Sequence, residues 1–255
     1  TNSKLITSPN QVVVLQNTSI LDTQLVIHAT STRYGGFSEG EFGTLNLGLS
    51  TGDNPDVVLR NREMFYDGLG IQSNQVFYLQ QVHGNHVEVI NQELVDSFMG
   101  KQIRRIPNTD AMITDLRGIP IVILTADCFP IFILDRVTPA IGLAHTGWRG
   151  TKLRIASETF KKMQITYGTK PENCLAWISA GIGVCCYQVG KDIRNEFIKD
   201  FGISTVEGDR LNLSEINRLQ LTAKGFSHDS IFATSYCTYH DKELFYSYRR
   251  TGKES

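Results

Sequence analysis

The sequence predicts an α+β fold in which mixed β-sheets are covered by helices, with residues 1–255 forming one domain. Three observations point there. Short runs rich in Val, Ile and aromatic residues recur along the chain at strand length. Four segments carry clear helical periodicity, and they follow groups of strands as often as they separate single ones, which disfavours a regular doubly wound sheet. Glycine and proline are scattered, and no repeat or low-complexity linker divides the chain.

In order, strands are expected at 12–15, 25–29, 76–80, 87–90, 111–114, 121–125, 131–134, 140–144, 175–179, 231–234 and 244–248. The first helix is expected at 55–69, because Asn54 suits a cap and Pro55 suits the first helical position. The clearest helix spans 151–167. There Leu153, Ala156, Phe160, Met163 and Tyr167 recur at three and four, and Gly168 can close the end. A third helix at 189–201 places Ile193, Phe197 and Phe201 on one stripe, and a fourth at 213–224 stops before Gly225.

Composition excludes several functions. With 25 Lys and Arg against 26 Asp and Glu, the formal charge is −1, which gives no general attraction to phosphate backbones or anionic lipid, so neither nucleic acid nor membrane is an expected partner. The nearly apolar stretch 119–134 is broken by Asp127 and two prolines and is too short to span a bilayer. No secretory signal is expected at the N-terminus. Five cysteines, an odd number at irregular spacing in a chain able to build its own core, fit a reducing, cytoplasmic setting better than a disulfide framework.

Chemistry is concentrated at three strand ends: Gln80 to Gly84, Thr125 to Pro130, and Ala144 to Gly150. Among them His83, Cys128 and His145 offer two imidazoles and one thiolate. If they converge, three protein ligands leave one tetrahedral position open, the arrangement of a catalytic zinc. A thiol nucleophile at Cys128 with a histidine base is the alternative, with no metal at all. Asp127, beside the thiol, is a candidate to orient a histidine. His28 and His86 read as structural, His86 also standing close enough to His83 to support it, and His228 and His240 have no assigned role. The vicinal pair Cys185 and Cys186 reads as packed thiols in a Gly-rich turn. Arg33, beside Gly35 and Gly36, and Arg149 could each hold an oxyanion. Neither a dinucleotide fingerprint nor a P-loop is present.

These motifs together resemble a bacterial family once called multicopper polyphenol oxidases or laccase-domain proteins (YfiH-like), now regarded as zinc-dependent purine nucleoside phosphorylases. The resemblance runs along nearly the whole chain. It is carried by Ser31, Thr32 and Arg33 with Gly35 and Gly36, by Leu45 to Gly48, by Asn61 and Arg62, and by Gln81 to Gly84. It continues through Asp110, Ala126 to Cys128 with Pro130, His145 with Gly147 to Gly150, Gly183 with Cys185 to Tyr187, Cys237 with Thr238, and Ser247 to Arg250. Departures fall at Thr146, Gln188 and the tail Thr251 to Lys253.

The resemblance implies an αββα layered fold and a Zn2+ site of His83, Cys128 and His145, which are also the catalytic residues. It implies a purine pocket faced by Arg33 and Asn46, to which Arg149 is added as a further substrate contact. The implied substrates are purine nucleosides and phosphate, giving base and ribose 1-phosphate, with adenosine deamination and methylthioadenosine cleavage as accompanying activities. Copper is the poorer cofactor, since six histidines with no His-x-His pair cannot build the clusters of a multicopper oxidase. A metal-free amidase or peptidoglycan-editing hydrolase is the competing enzyme class, and a binding role in cell-wall assembly the competing non-enzyme class. Oligomeric state is not read from the chain.

Overall fold

A computed structural model describes residues 2–101 and 103–251. The tail departure at Gly252 and Lys253 lies outside the described residues. In chain order the strands are β1 Ser3–Thr7, β2 Val13–Asn17, β3 Thr30–Ser31, β4 Phe77–Leu79, β5 Val87–Val89, β6 Arg104–Ile106 and β7 Ala111–Thr114. They continue with β8 Ile121–Val122, β9 Phe129–Asp135, β10 Ile141–Thr146, β11 Cys174–Ile178, β12 Val206–Glu207, β13 Arg210–Leu211 and β14 Ile231–Ala233. The α-helices are α1 Thr18–Leu21, α2 Pro55–Gly68, α3 Gln92–Ser97, α4 Trp148–Lys152, α5 Ile155–Tyr167, α6 Lys191–Phe201 and α7 Leu213–Thr222.

The main sheet runs β14-β11-β9-β10-β7-β5, antiparallel through its centre and parallel in its two outermost pairs. Its central strands are apolar on both faces because alternate residues point to opposite sides. Ile131 and Ile133 of β9 join Ala176, Ile178, Phe160 and Met163 in one core, where α5 covers β7 and β10 and α7 covers β11 and β14. Leu134 of β9 turns the other way and meets Leu175, Trp177 and Leu15, with Phe132 packed beside them.

Leu15 belongs to a second layer of two small sheets, β1-β2-β3 and β6-β4-β8. Its neighbour Val14 faces outward, into a cluster with Phe65 and Tyr66 of α2. The order helix, sheet, sheet, helix is therefore the one the family resemblance implies. No helix among the described residues is long and apolar enough to cross a membrane.

Several expected elements differ, and in each case side chains take over backbone partners. Residues 25–29 form no ladder: His28 Nε2 accepts the N–H of Asn17, and Gln16 Nε2 donates to the His28 carbonyl, so the pairing is made through side chains until β3. The strand expected at 121–125 ends at Val122, because the Gln81 amide bonds both the N–H and the carbonyl of Leu124. Residues 244–248 form no strand: 244 and 248 lie in turns and 245–247 are irregular, and the N–H groups of Leu244 and Phe245 both return to the Asp241 carbonyl. The helix expected at 151–167 is two helices broken at Arg154, whose φ of 62° is left-handed, and Leu153 is exposed instead of packed. The helices expected at 189–201 and 213–224 are trimmed to α6 and α7. Strands β1 and β6 and the short helices α1 and α3, capped by Asn17 and Asn91, were not anticipated.

Candidate metal centre

Three strand ends deliver the ligands to one place. Antiparallel β9 and β10 set His145 opposite Pro130, so Cys128, two residues before Pro130, lies beside the end of β10. On the other side of β10, Ala111 pairs with Ala144, and the His145 N–H donates to the Asp110 carbonyl at 2.8 Å. Parallel pairing of β5 with β7 begins at Val87 and Ala111, which brings the preceding loop with His83 to the same edge. The ligand atoms of His83, Cys128 and His145 all fall within 4.8 Å of one another.

Their surroundings grade from wet to dry. His83 is exposed, Cys128 half-buried and His145 buried, and the two imidazole rings meet edge to face at 4.9 Å. His83 adopts φ 60°. Gly147 must lack a side chain, since a Cβ there would lie 2.7 Å from Cys128 Sγ and 3.1 Å from His83 Cδ2.

Asp110 organises the site. One of its oxygens lies 2.9 Å from His145 Nδ1 and takes the His83 N–H at 3.0 Å; the other accepts the N–H of Gly84 at 2.7 Å and of Val82 at 3.1 Å. A carboxylate on Nδ1 fixes the tautomer and leaves Nε2 as the ligand atom. Burial raises the Asp110 pKa, but the bond to His145 and the loop N–H groups outweigh it and hold the carboxyl below its ordinary value. Burial likewise opposes charge on Cys128 and His145. Hydrogen bonding to the two histidines still brings the Cys128 thiol down to about 7, while Asp110 and then Cys128 push His145 up to about 9. A low thiol and an anchored imidazole suit coordination of a cation. Two nitrogens and one sulfur, with the His83 side exposed, therefore form a candidate three-ligand metal site.

Asp127 does not orient a histidine. At φ 90° its carboxylate turns away to accept the Thr238 hydroxyl and the Arg249 N–H, both at 2.7 Å. That work is done by Asp110, a position the sequence marked only through the family resemblance. His86 is exposed, with Nε2 3.6 Å from Glu88, and does not support His83. His28 is structural, as expected.

Arg149 lies on the first turn of α4, exposed, with its guanidinium over the Trp148 ring at 4.5 Å. Tyr187, unassigned from sequence, stands within electrostatic reach: burial and then the charge of Cys128 raise its pKa, against the opposing charges of Arg249 and Arg149. Arg33 and Asn46 lie elsewhere, in the wall of a cavity of about 1190 Å³. Arg33 donates from Nε to Gly43 and from Nη1 to Lys242, both carbonyls, and Asn46 bonds Thr51, Asp53 and Gly48. The cavity touches Ala126 and Pro130, on either side of Cys128, but its wall includes none of the three ligands. Arg149 thus follows His145 at the start of α4, while Arg33 and Asn46 line the cavity that reaches the residues flanking Cys128.

Fold and site together define a layered α/β protein with a preorganised two-histidine, one-cysteine centre at the edge of its main sheet. The chain belongs to the multi-copper polyphenol oxidoreductase laccase family, whose model matches residues 27–255. It is 32% identical over 231 residues to a Shigella flexneri protein named purine nucleoside phosphorylase YfiH, covering 88% of each chain. A Geobacillus stearothermophilus relative named purine nucleoside phosphorylase YlmD is 32% identical over 230 residues, covering 86% of this chain and 83% of the relative. Among solved structures, a Bacillus licheniformis hypothetical protein YfiH superposes with a TM-score of 0.79 at 29% identity, covering 98% of this chain and 91% of the other.

Proposed function

We propose that this protein is a metal-dependent purine nucleoside phosphorylase, with His83, Cys128 and His145 as the catalytic, metal-binding residues. The observation that carries the reading is the donor set itself, held by Asp110 on one side and open at His83 on the other, in a chain whose relatives bear that name over most of their length. Zinc is the cation we assign, since mixed imidazole and thiolate ligands suit it, and when bound it supplies a Lewis acid with an open position.

The chain's own residues do the rest. In phosphorolysis the glycosidic C1′–N bond breaks, a C1′–O bond to phosphate forms, and the base leaves with a proton. Arg149 takes the phosphate, its forked guanidinium matching two oxygens. Tyr187 keeps its Oη proton at neutral pH, since its pKa is raised, and serves as a hydrogen-bond donor to substrate. Asp110 keeps His145 in one tautomer. Arg33 and Asn46, in the wall of the cavity that reaches the flanks of Cys128, bind the purine end of the substrate. Five free thiols support a reducing, cytoplasmic setting.

The test is turnover of adenosine, inosine and guanosine, with and without phosphate, on protein whose metal content has been measured. Phosphate-dependent release of base with ribose 1-phosphate is expected. Equal turnover without phosphate, yielding free ribose or only a deaminated nucleoside, would replace the phosphorylase by a hydrolase. Full nucleoside turnover in metal-free protein would remove the metal from the reaction, and no nucleoside turnover at all would favour the Cys128 thiol amidase class instead.

A further inference from the structure

Cys185, Cys186 and Cys237 form a second cluster in which all three sulfurs lie within 4.8 Å of one another. Its geometry is built by the backbone. The N–H groups of Cys186 and Tyr187 both bond the Gly183 carbonyl at 3.0 Å, and this tight turn brings the consecutive thiols of Cys185 and Cys186 to 3.4 Å. Cys237 is held from the other side: its N–H donates to Asp241 at 2.7 Å, it bridges Gly181, and its sulfur accepts the Gly183 N–H at 3.2 Å. A Cβ on Gly183 would lie 3.2 Å from the Cys185 sulfur and 3.5 Å from that of Cys237, so the glycine leaves room for the trio. Cys237 is buried, Cys186 half-buried and Cys185 exposed, giving a rigid floor and an open mouth.

The geometry points to a second metal site, composed only of sulfur, that takes a soft d10 cation, Cu(I), in trigonal coordination. Three sulfurs around one ion at bonds of about 2.3 Å stand about 4 Å apart; Cys185 and Cys186 are 3.4 Å apart and all three sulfurs lie within 4.8 Å of one another. Thiolates without nitrogen or oxygen partners suit Cu(I), zinc and iron–sulfur clusters, and a set of three, short of the four that a structural zinc takes, favours Cu(I). Each thiol gives its proton to solvent on binding, so one Cu(I) with three thiolates carries two negative charges. Arg210, whose Nη1 donates to the Cys185 carbonyl, stands where a positive charge offsets them. The inference is independent of the nucleoside reading, because no residue of the triad belongs to this cluster.

The experiment uses the full chain carrying Cys128→Ser, which disables the first centre, and titrates it anaerobically with Cu(I) against a chromophoric chelator. One Cu(I) per chain is expected, with the near-ultraviolet absorption of copper thiolates. Adding Cys185→Ser should weaken binding more than about 100-fold, beyond the roughly 10–100-fold typical of losing a group behind a ligand. Cys186→Ser should do the same, and these two variants avoid disturbing buried Cys237. Absence of Cu(I) binding in the Cys128→Ser protein, or binding unaffected by both serine substitutions, overturns the site. Displacement of the bound copper by equimolar zinc overturns the choice of ion.

Discussion

Asp110 Oδ1 stands 2.9 Å from His145 Nδ1, and through the same carboxylate the loop of His83 is tied to the strand of His145. Two of the three ligands therefore share one anchor. Asp110→Asn keeps the shape but turns an amide N–H toward groups that are themselves donors. It is expected to lower metal affinity by about 10–100-fold, read by competition with a chromophoric chelator, while far-ultraviolet circular dichroism stays unchanged.

Gly147→Ala should fail at the same centre for a steric reason. Its Cβ would sit 2.7 Å from Cys128 Sγ, inside contact distance, so the thiol or the His83 ring must move. Metal affinity at the triad falls by about tenfold or more, the scale of a displaced ligand, with little change in thermal unfolding of the metal-free protein. Wild-type affinity in this variant would contradict the tight approach.

Chelation should lower the melting temperature without unfolding the protein at 25 °C, because the core is large enough to stand alone. An ion present at about 100 times its Kd adds roughly 2.7 kcal/mol, which for a chain of this size corresponds to several degrees at about 2–4 °C per kcal/mol. Differential scanning calorimetry with and without chelator reads the shift directly.

His28 predicts an acid limit. Burial lowers its pKa to about 4, and its Nε2 already accepts the Asn17 N–H, which holds the ring neutral. The unfolded chain therefore takes up this proton first. Stability is intact above about pH 6.5 and declines as pH falls towards 4, by on the order of 3 kcal/mol. Urea unfolding at pH 7 and pH 4.5 should show that loss in the wild type and a shallower slope in His28→Gln.

Much of this was legible because residue type alone narrows it. The apolar runs read as strands at 131–134 and 140–144 lie within β9 and β10, and His83, Cys128 and His145 stood out as ligand types at strand ends. Asp110 was not chosen over Asp127, and the reason is geometric. Proximity in sequence suggested Asp127, yet consecutive residues of an extended chain point to opposite sides, whereas a residue one strand over is a true neighbour. The same blindness explains residues 25–29, 121–125 and 244–248: nothing local announces that Gln16, Gln81 or Asp241 will supply the partner that a ladder would have supplied. The break at Arg154 also escaped notice, because the residue is a good helix former and nothing in its type announces the left-handed conformation it adopts.

His83 and His145 stand 62 residues apart with Cys128 between them, and the three meet only after β7, β10 and β9 have paired in one register. A slip of one residue in that ladder would turn His145 to the opposite face of the sheet. An ion offered to a newly made chain is therefore captured late and only by correctly zipped molecules, so that metal occupancy doubles as a certificate of folding, withheld from every misaligned copy.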